Sequence, residues 1–393
     1  MVYMELESTV ENQMLPKIVT VGVGGGGSNA VNHMARSRLG GVNFIVANTD
    51  MQVLAISDVQ NQIQLGGKKT AGLGAGQRPE VGFEAAQESK TLIQEAMGEP
   101  NLVFISAGMG GGTGTGAAPV IAEIARDLNA LTVGVVTKPF PFEGKKRARI
   151  AEEGIEKLRE QVHSLIVIPN ERLIQQAPKG ATYIDMLKRA DDVLYLAVKG
   201  IVELLTKPGL INLDFNDLKT VMGGDSGGMA MIGTGVGLGE TRARDAANLA
   251  IHSPLLEDGT IDGASGVLLN ITAGKDVGIK EIDEASSIIQ AAAHPDADFI
   301  FGTAIAEGED EEFHVTVVAT GIERAGAKLL RNPSAKVAVF EQDRRPGPIP
   351  TPLDLMLQNR PGQAMEGQNK AAGNGEAFSF HRGPVEVPFF LQK

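Results

Sequence analysis

From Lys17 onward the apolar positions alternate between two rhythms. Short β-rich runs at Lys17–Gly22, Asn43–Ala47, Leu102–Ser106, Leu131–Val136 and Ser164–Ile168 predict strands. Helical patterns lie between them, as in Pro79–Met97, where Val81, Ala85, Leu92, Ile93 and Ala96 recur at helical spacing. Strands alternating with helices predict an α/β fold built on a doubly wound, mostly parallel sheet. A long helix is expected over Tyr183–Leu205, and a second α/β stretch follows: Met229–Ile232, Thr241–Ile251, Val267–Thr272, Ile279–Ala293, Asp298–Ala306 and Phe313–Ala319. The pattern divides the chain into a flexible N-terminus (1–16), a first domain (17–182), a connecting helix (183–205) and a smaller second domain (206–339).

Beyond Val339 these signals fade. Arg344–Pro384 is rich in Pro and Gly and poor in large apolar residues. Such a stretch buries too little surface to offset its ordering entropy, so 340–384 is expected to be a disordered linker. Apolar residues return in Val385–Lys393, which reads either as a docking peptide or as a frayed end.

Charge and composition narrow the function. With 36 Lys and Arg against 48 Asp and Glu, the net charge is −12, which argues against sequence-independent nucleic-acid binding. The chain has no cysteine, which excludes thiol catalysis and thiolate metal sites, and its six histidines show no metal-ligand spacing. No run approaches the ~18 apolar residues of a membrane span, and Met1–Pro16 lacks a signal-peptide pattern. A cytoplasmic protein without direct membrane insertion is therefore expected.

The 49 glycines are clustered. Gly24–Gly27 follows a predicted strand and opens a helix, a place where backbone N–H groups and the positive helix end hold phosphate. Gly22–Gly27 also satisfies G-x-G-x-x-G, so a nicotinamide-dependent oxidoreductase is an alternative. A second cluster, Gly108–Gly116, follows the strand Leu102–Ser106 and carries Thr113 and Thr115. Two such loops on one sheet suit a polyphosphate gripped from both sides. Neither loop contains a lysine and no Walker A motif is present, so amides, helix dipoles and a bound cation would have to neutralise the phosphates. Gly224–Gly228 has the look of a serine-protease nucleophile segment, but His294 follows Ser226, against that family's order.

Gly110–Gly116 (Gly-Gly-Gly-Thr-Gly-Thr-Gly) resembles the signature loop of the tubulin/FtsZ GTPase family, and Gly24–Val31 and Asn48-Thr49-Asp50 resemble its companion loops in the same order. The likeness continues through Thr137–Phe140, Phe142–Arg147 and Asn212–Asp217, spans about Lys17 to Gly321, and returns in the last residues. It implies GTP as substrate, bound with Mg²⁺, and hydrolysis coupled to head-to-tail assembly into filaments of bacterial cell division; a tubulin-like module that binds GTP without hydrolysing it is the alternative. It also implies phosphate contacts from Gly25, Gly26, Asn29, Gly111, Gly112, Thr113 and Gly114, with Asn48 in a companion loop. Glu143 and Arg147 are implied at the ribose, and Asn170 and Asp191 at the guanine. Relatives commonly carry an aromatic residue where Leu187 stands, so an apolar contact without stacking is expected there. Asp214 and Asp217, oriented by Asn212, are implied to act on the nucleotide of a neighbouring subunit. Val385–Lys393 is implied to bind adaptors that tether filaments beneath the inner membrane.

Three aspartates can be weighed without the resemblance. Asp191 falls within an apolar stripe of Ile184, Leu187, Leu194 and Val198, where a carboxylate needs a partner, either a ligand or a neighbouring arginine. Asp214 and Asp217 have the spacing of ordinary helix capping, which spacing alone favours.

Overall fold

The computed structural model describes residues 15–206, 214–223, 228–253, 256, 261–305 and 312–321. The expected N-terminus up to residue 14, Asn212, the Gly224–Gly227 segment, the linker and the terminal peptide lie outside these residues.

The first half alternates as its pattern predicts. Its elements are β1 (Ile18–Val23), α1 (Gly24–Arg36), β2 (Val42–Asn48), α2 (Met51–Ala55), β3 (Asn61–Gln64), α3 (Pro79–Glu88), α4 (Lys90–Met97), β4 (Leu102–Gly108), α5 (Thr113–Asp127), β5 (Leu131–Lys138), α6 (Lys145–Arg159), β6 (Ser164–Pro169) and α7 (Asn170–Gln175). The long helix α8 spans Tyr183–Thr206. Thr182 and Asp185 cap its start: the Thr182 backbone N–H and hydroxyl donate to Asp185 Oδ2, and the Asp185 N–H donates back to the Thr182 hydroxyl. Those bonds hold the Asp185 carboxyl below the usual carboxylate range. The second half comprises α9 (Phe215–Gly223), β7 (Gly228–Leu238), α10 (Arg242–Ile251), β8 (Gly266–Ala273), α11 (Ile279–Ala292), β9 (Asp298–Ile305) and β10 (Glu312–Thr320).

All ten strands join one sheet in the order β3-β2-β1-β4-β5-β6-β7-β10-β8-β9. The two halves expected from the sequence share it, since β6 pairs in parallel with β7 over Ser164–Ile166. Pairing is parallel from β3 to β7, and β10 then runs antiparallel to both β7 and β8. Strand β1 is buried on both faces. Its alternate residues feed separate cores: Ile18 packs with α1 and α8, whereas Val19, Val21 and Val23 pack with α3, α4, α5 and α6.

Three departures from the pattern have local causes. The helix expected over Pro79–Met97 breaks at Ser89, whose buried hydroxyl accepts the Gly66 N–H at 2.9 Å. The break turns Leu92 and Ala96 to solvent. Strand β3 escaped the pattern because it is a polar edge strand with Ile63 alone buried. Strand β7 runs six residues past the expected Ile232 because its extension, Gly233–Leu238, alternates glycines that a hydropathy reading takes for loop.

Those glycines serve packing. A Cβ on Gly233, Gly235 or Gly237 would lie 2.1, 2.0 or 2.0 Å from the carbonyl oxygen of Ala250, Ala246 or Arg242, so α10 rests directly on the strand backbone. Arg242 then clamps α10 to the start of α11 through Glu281 (2.6 Å) and to Asp276 (2.9 Å). Gly235→Ala is expected to destabilise the protein by about 1–3 kcal/mol or more in chemical denaturation, because helix backbone must retreat to admit the methyl group. An unchanged unfolding midpoint would contradict this contact.

Candidate functional site

Strands β1 and β4 are parallel neighbours, yet their following helices leave on opposite faces. Helix α1 packs in the core with α8, and α5 packs in the core on the other face. The chain therefore diverges at the carboxyl ends of β1 and β4, which is where open α/β sheets bind ligands. Both glycine clusters sit at this fork. Helix α1 begins at Gly24 and α5 at Thr113, and neither has a side chain capping its first N–H groups. Two uncapped helix starts with aligned peptide dipoles thus meet at one crevice and favour an anion.

The glycines divide into two kinds. Gly24 has φ +70°, and a Cβ there would lie 2.8 Å from the Gly114 nitrogen; on Gly27 it would lie 2.1 Å from the Ser106 oxygen. Gly24 lets the two glycine clusters touch, and Gly27 lets α1 rest on β4. Gly25 and Gly111 lie at the crevice with no positive φ, and a Cβ on either would meet no protein atom within 4 Å. Neither packing nor backbone conformation requires glycine at those two sites. Around them, Thr49 and Thr113 hydroxyls pair at 2.6 Å and the Gly110 N–H donates to Thr115 Oγ1 at 2.9 Å.

The crevice opens into a cleft of about 320 Å³. It brings together Gly25, Gly26 and Asn29 of α1, the loop residues Gly111, Gly112, Thr113 and Gly114, Glu143 and Arg147, Asn170, and Leu187 and Asp191 of α8. Asn48 is not on its lining. Asn48 is buried at the end of β2, where Oδ1 accepts the Asp50 N–H at 3.2 Å and Nδ2 has no partner. Asp214 and Asp217 also lie off the lining. Asp214 Oδ1 caps α9 by accepting the Asp217 N–H at 2.8 Å, as the capping reading expects, and both side chains are exposed.

The end of the cleft opposite the glycine loops is polar but under-partnered. Asn170 is buried and its Oδ1 has no hydrogen-bond partner. Among the described residues no arginine pairs with Asp191, and its stripe is buried only from Leu194 onward, while Ile184 and Leu187 are exposed, Leu187 on the cleft lining. Burial, with a smaller contribution from the Asp192 charge, pushes the Asp191 carboxyl up to about 7. Beyond Asp191 and Asn29 a second cavity of about 420 Å³ holds His33, Arg36 and Lys188; His33 pairs with Asp192 at 3.0 Å. At the rim, Glu143 Oε1 accepts the Phe140 N–H at 2.8 Å and Oε2 pairs with Arg147 at 2.7 Å. Met109, Thr137, Pro139, Tyr183, Ala190 and Leu194 also line the cleft, though the sequence assigned none of them a role in binding. Of these, Met109 lies within the second glycine cluster, Thr137 and Pro139 within the resembling segment Thr137–Phe140, and Leu194 on the apolar stripe of the long helix.

Residues 17–178 match the model of the Tubulin/FtsZ family, GTPase domain, and residues 228–323 match that of the FtsZ family, C-terminal domain. The chain is 53% identical to the cell division protein FtsZ of Pseudomonas putida over 80% of its own length and 78% of that protein. It is similar to a solved FtsZ dimer of M. jannaschii, with a TM-score of 0.76 and 43% identity, covering 81% of this chain and 92% of that one. A GTPγS-bound CetZ2 protofilament from Haloferax volcanii shares the fold, with a TM-score of 0.67 at 20% identity, over 78% of this chain and 94% of that one. The nicotinamide alternative is thereby set aside in favour of GTP hydrolysis. With both family regions present in order on one ten-stranded sheet, the chain belongs to the FtsZ family of tubulin-like GTPases.

Proposed function

We propose that this GTPase holds GTP in the cleft at the β1–β4 fork and hydrolyses it only when a second copy stacks head to tail, forming filaments that serve cell division. The α1 and α5 starts and the backbone at Gly25, Gly26 and Gly111–Gly114 receive the phosphates, and Asn29 lies beside them. Glu143 and Arg147 sit at the ribose. Asp191 accepts the guanine N1–H and 2-amino hydrogens, Asn170 Oδ1 accepts from the base, and Leu187 supplies an apolar wall. No three His, Asp or Glu residues group into a metal cage among the described residues. Mg²⁺ therefore enters as part of the substrate, held by phosphate oxygens and water.

The carrying observation is the composition of the cleft lining. Its only carboxylates among the described residues are Glu143, committed to Arg147 and Phe140, and Asp191, at the opposite end from the phosphate loops. Neither carboxylate is placed to polarise an attacking water at the terminal phosphate. Asp214 and Asp217 stand exposed on the start of α9, where a neighbour's nucleotide can reach them. In the stacked pair Asp217 and Asp214 orient and polarise the water, with Asn212 steadying their loop. A contact between two different surfaces does not close on itself, so repetition gives a filament. Similarity to a solved FtsZ dimer and to a cell-division protein supports this reading. The apolar Val385–Lys393 peptide is then the docking point for tethering and regulatory proteins; no described helix is long and apolar enough to cross a membrane.

Three measurements test it. GTP hydrolysis per chain is expected to rise above a threshold concentration together with pelleting, while Asp217→Ala pellets with GTP and releases little phosphate; hydrolysis independent of concentration would refute the shared site. Gly111→Ala is expected to melt like wild type yet bind GDP about tenfold or more weakly, since backbone bonds to charged oxygens are displaced. Equal affinity would place the phosphates elsewhere.

The third concerns pH. Asp191 must be ionised to accept two guanine hydrogens, and in the free protein it takes up a proton near pH 7. Affinity for GDP is expected to be level in mild alkali and to fall about tenfold per pH unit below about 7. Asp191→Asn removes the titrating group and is expected to lose that slope, leaving only the nucleotide's own titration. Identical slopes in the two proteins would separate Asp191 from the base.

A further inference from the structure

The base end of the cleft is walled by α8 on one side, but Leu187 is a flexible, non-aromatic wall and is itself 39% exposed. One helical turn earlier, at i−4 and so on the same face, stands Tyr183. Its side chain also lines the cleft and is 54% exposed, a large apolar ring at the opening that the free chain leaves uncovered. The ring is nevertheless held. Phe142 meets it edge-on with centroids 5.7 Å apart, Phe142 stacks on Phe140 at 5.1 Å, and Phe140 also meets Tyr183 at 6.5 Å. Phe140 is buried, so this aromatic cluster is rooted in the core at one end and reaches the opening at the other.

The cluster also joins two parts of the site that are distant in sequence. Phe142 belongs to the short 3₁₀ turn Pro141–Glu143, whose last residue pairs with Arg147 at the cleft rim. Tyr183 belongs to the capped first turn of α8, whose third turn carries Asp191. A planar group entering between the rim and α8 would meet a pre-placed ring, at little entropic cost for ordering it.

The geometry points to Tyr183 as a base-positioning residue: braced by Phe142 and Phe140, its ring covers the face of the guanine that Leu187 cannot stack upon. This rests on the guanine-nucleotide reading above and adds to it the residue that orients the base toward Asp191. It predicts that the aromatic ring matters and the hydroxyl does not.

The chain has no tryptophan, so Tyr183→Trp introduces a single reporter at the cleft mouth. GDP is expected to quench and shift its emission saturably, in step with binding measured by calorimetry. Tyr183→Ala is expected to bind GDP about tenfold more weakly, in the range of lost base–aromatic stacking, whereas Tyr183→Phe binds as wild type. Because inorganic pyrophosphate has no base, its competition with GDP serves as an internal control: Tyr183→Ala is expected to leave pyrophosphate affinity unchanged. Equal GDP affinity in the Ala, Phe and native proteins would overturn the role of Tyr183 while leaving the GTPase reading intact. Equal losses for GDP and pyrophosphate would also overturn it, as a general disturbance of the cleft. Failure of the native chain to bind GDP at all would instead defeat the reading on which it rests.

Discussion

In the proposed site one electrostatic constraint governs the rest: a polyphosphate has to be held where neither glycine loop offers a lysine. At the loops themselves the positive potential comes from backbone amides and helix starts, and these act only at close range. Close range in turn demands that α1 and α5 begin at the same fork, which the parallel pairing of β1 with β4 from Ile18–Leu102 to Val23–Ala107 provides. The clusters touch because Gly24 lacks a side chain and α1 rests on β4 because Gly27 does, while Gly25 and Gly111 leave open space where backbone faces the cleft. A sheet buried on both faces makes that geometry stiff, so the amides need little reorganisation to meet charge.

Helix α8 ties this fork to the rest of the molecule. Its first turns line the cleft with Tyr183, Leu187 and Asp191, and its last turns lie in the core with Ala197, Val198, Ile201 and Val202. Near its far end the Gly200 carbonyl accepts the Asn270 Nδ2–H of β8 at 3.1 Å. A Cβ at Gly200 would stand 2.7 Å from Thr316 Cγ2 of β10, so the helix backbone rides close to the second half. One continuous rod therefore lines the cleft at one end and meets the β8–β10 ladder at the other.

Much of this was legible in the sequence, and the exceptions have physical causes. Strand and helix alternation was readable because parallel strands buried on both faces are continuous apolar runs, as Ile18–Val23 shows. Strand β3 and the glycine-rich half of β7 were not, because neither carries such a run. The phosphate loops were visible as glycine clusters, yet sequence could not separate Gly27, required by Ser106, from Gly25, required by nothing in the fold. Asp191 announced itself as a carboxylate on an apolar stripe, whereas the Glu143–Arg147 pair came only with the family likeness, since an (i, i+4) pair is ordinary on any helix. Asn48 illustrates the reverse: its motif was plain, but the fold turns its carboxamide to the backbone of Asp50.

The two aspartates at the start of α9 are not equivalent, and the difference follows from where the helix begins. Asp214 is the residue before Phe215, so one of its oxygens is occupied by the Asp217 N–H and its orientation is fixed by the cap. Asp217 lies three positions on, with its carboxylate exposed and without a hydrogen-bond partner among the described residues. A capping bond thus does two things at once: it starts the helix, and it points the following acidic side chain outward from a rigid element rather than a loop. In the proposed reaction both carboxylates act on the water: Asp217 with both oxygens, and Asp214 with the oxygen that the cap leaves open. The spacing that looks like ordinary capping and the spacing that suits the chemistry are the same, which is why one motif supports both readings.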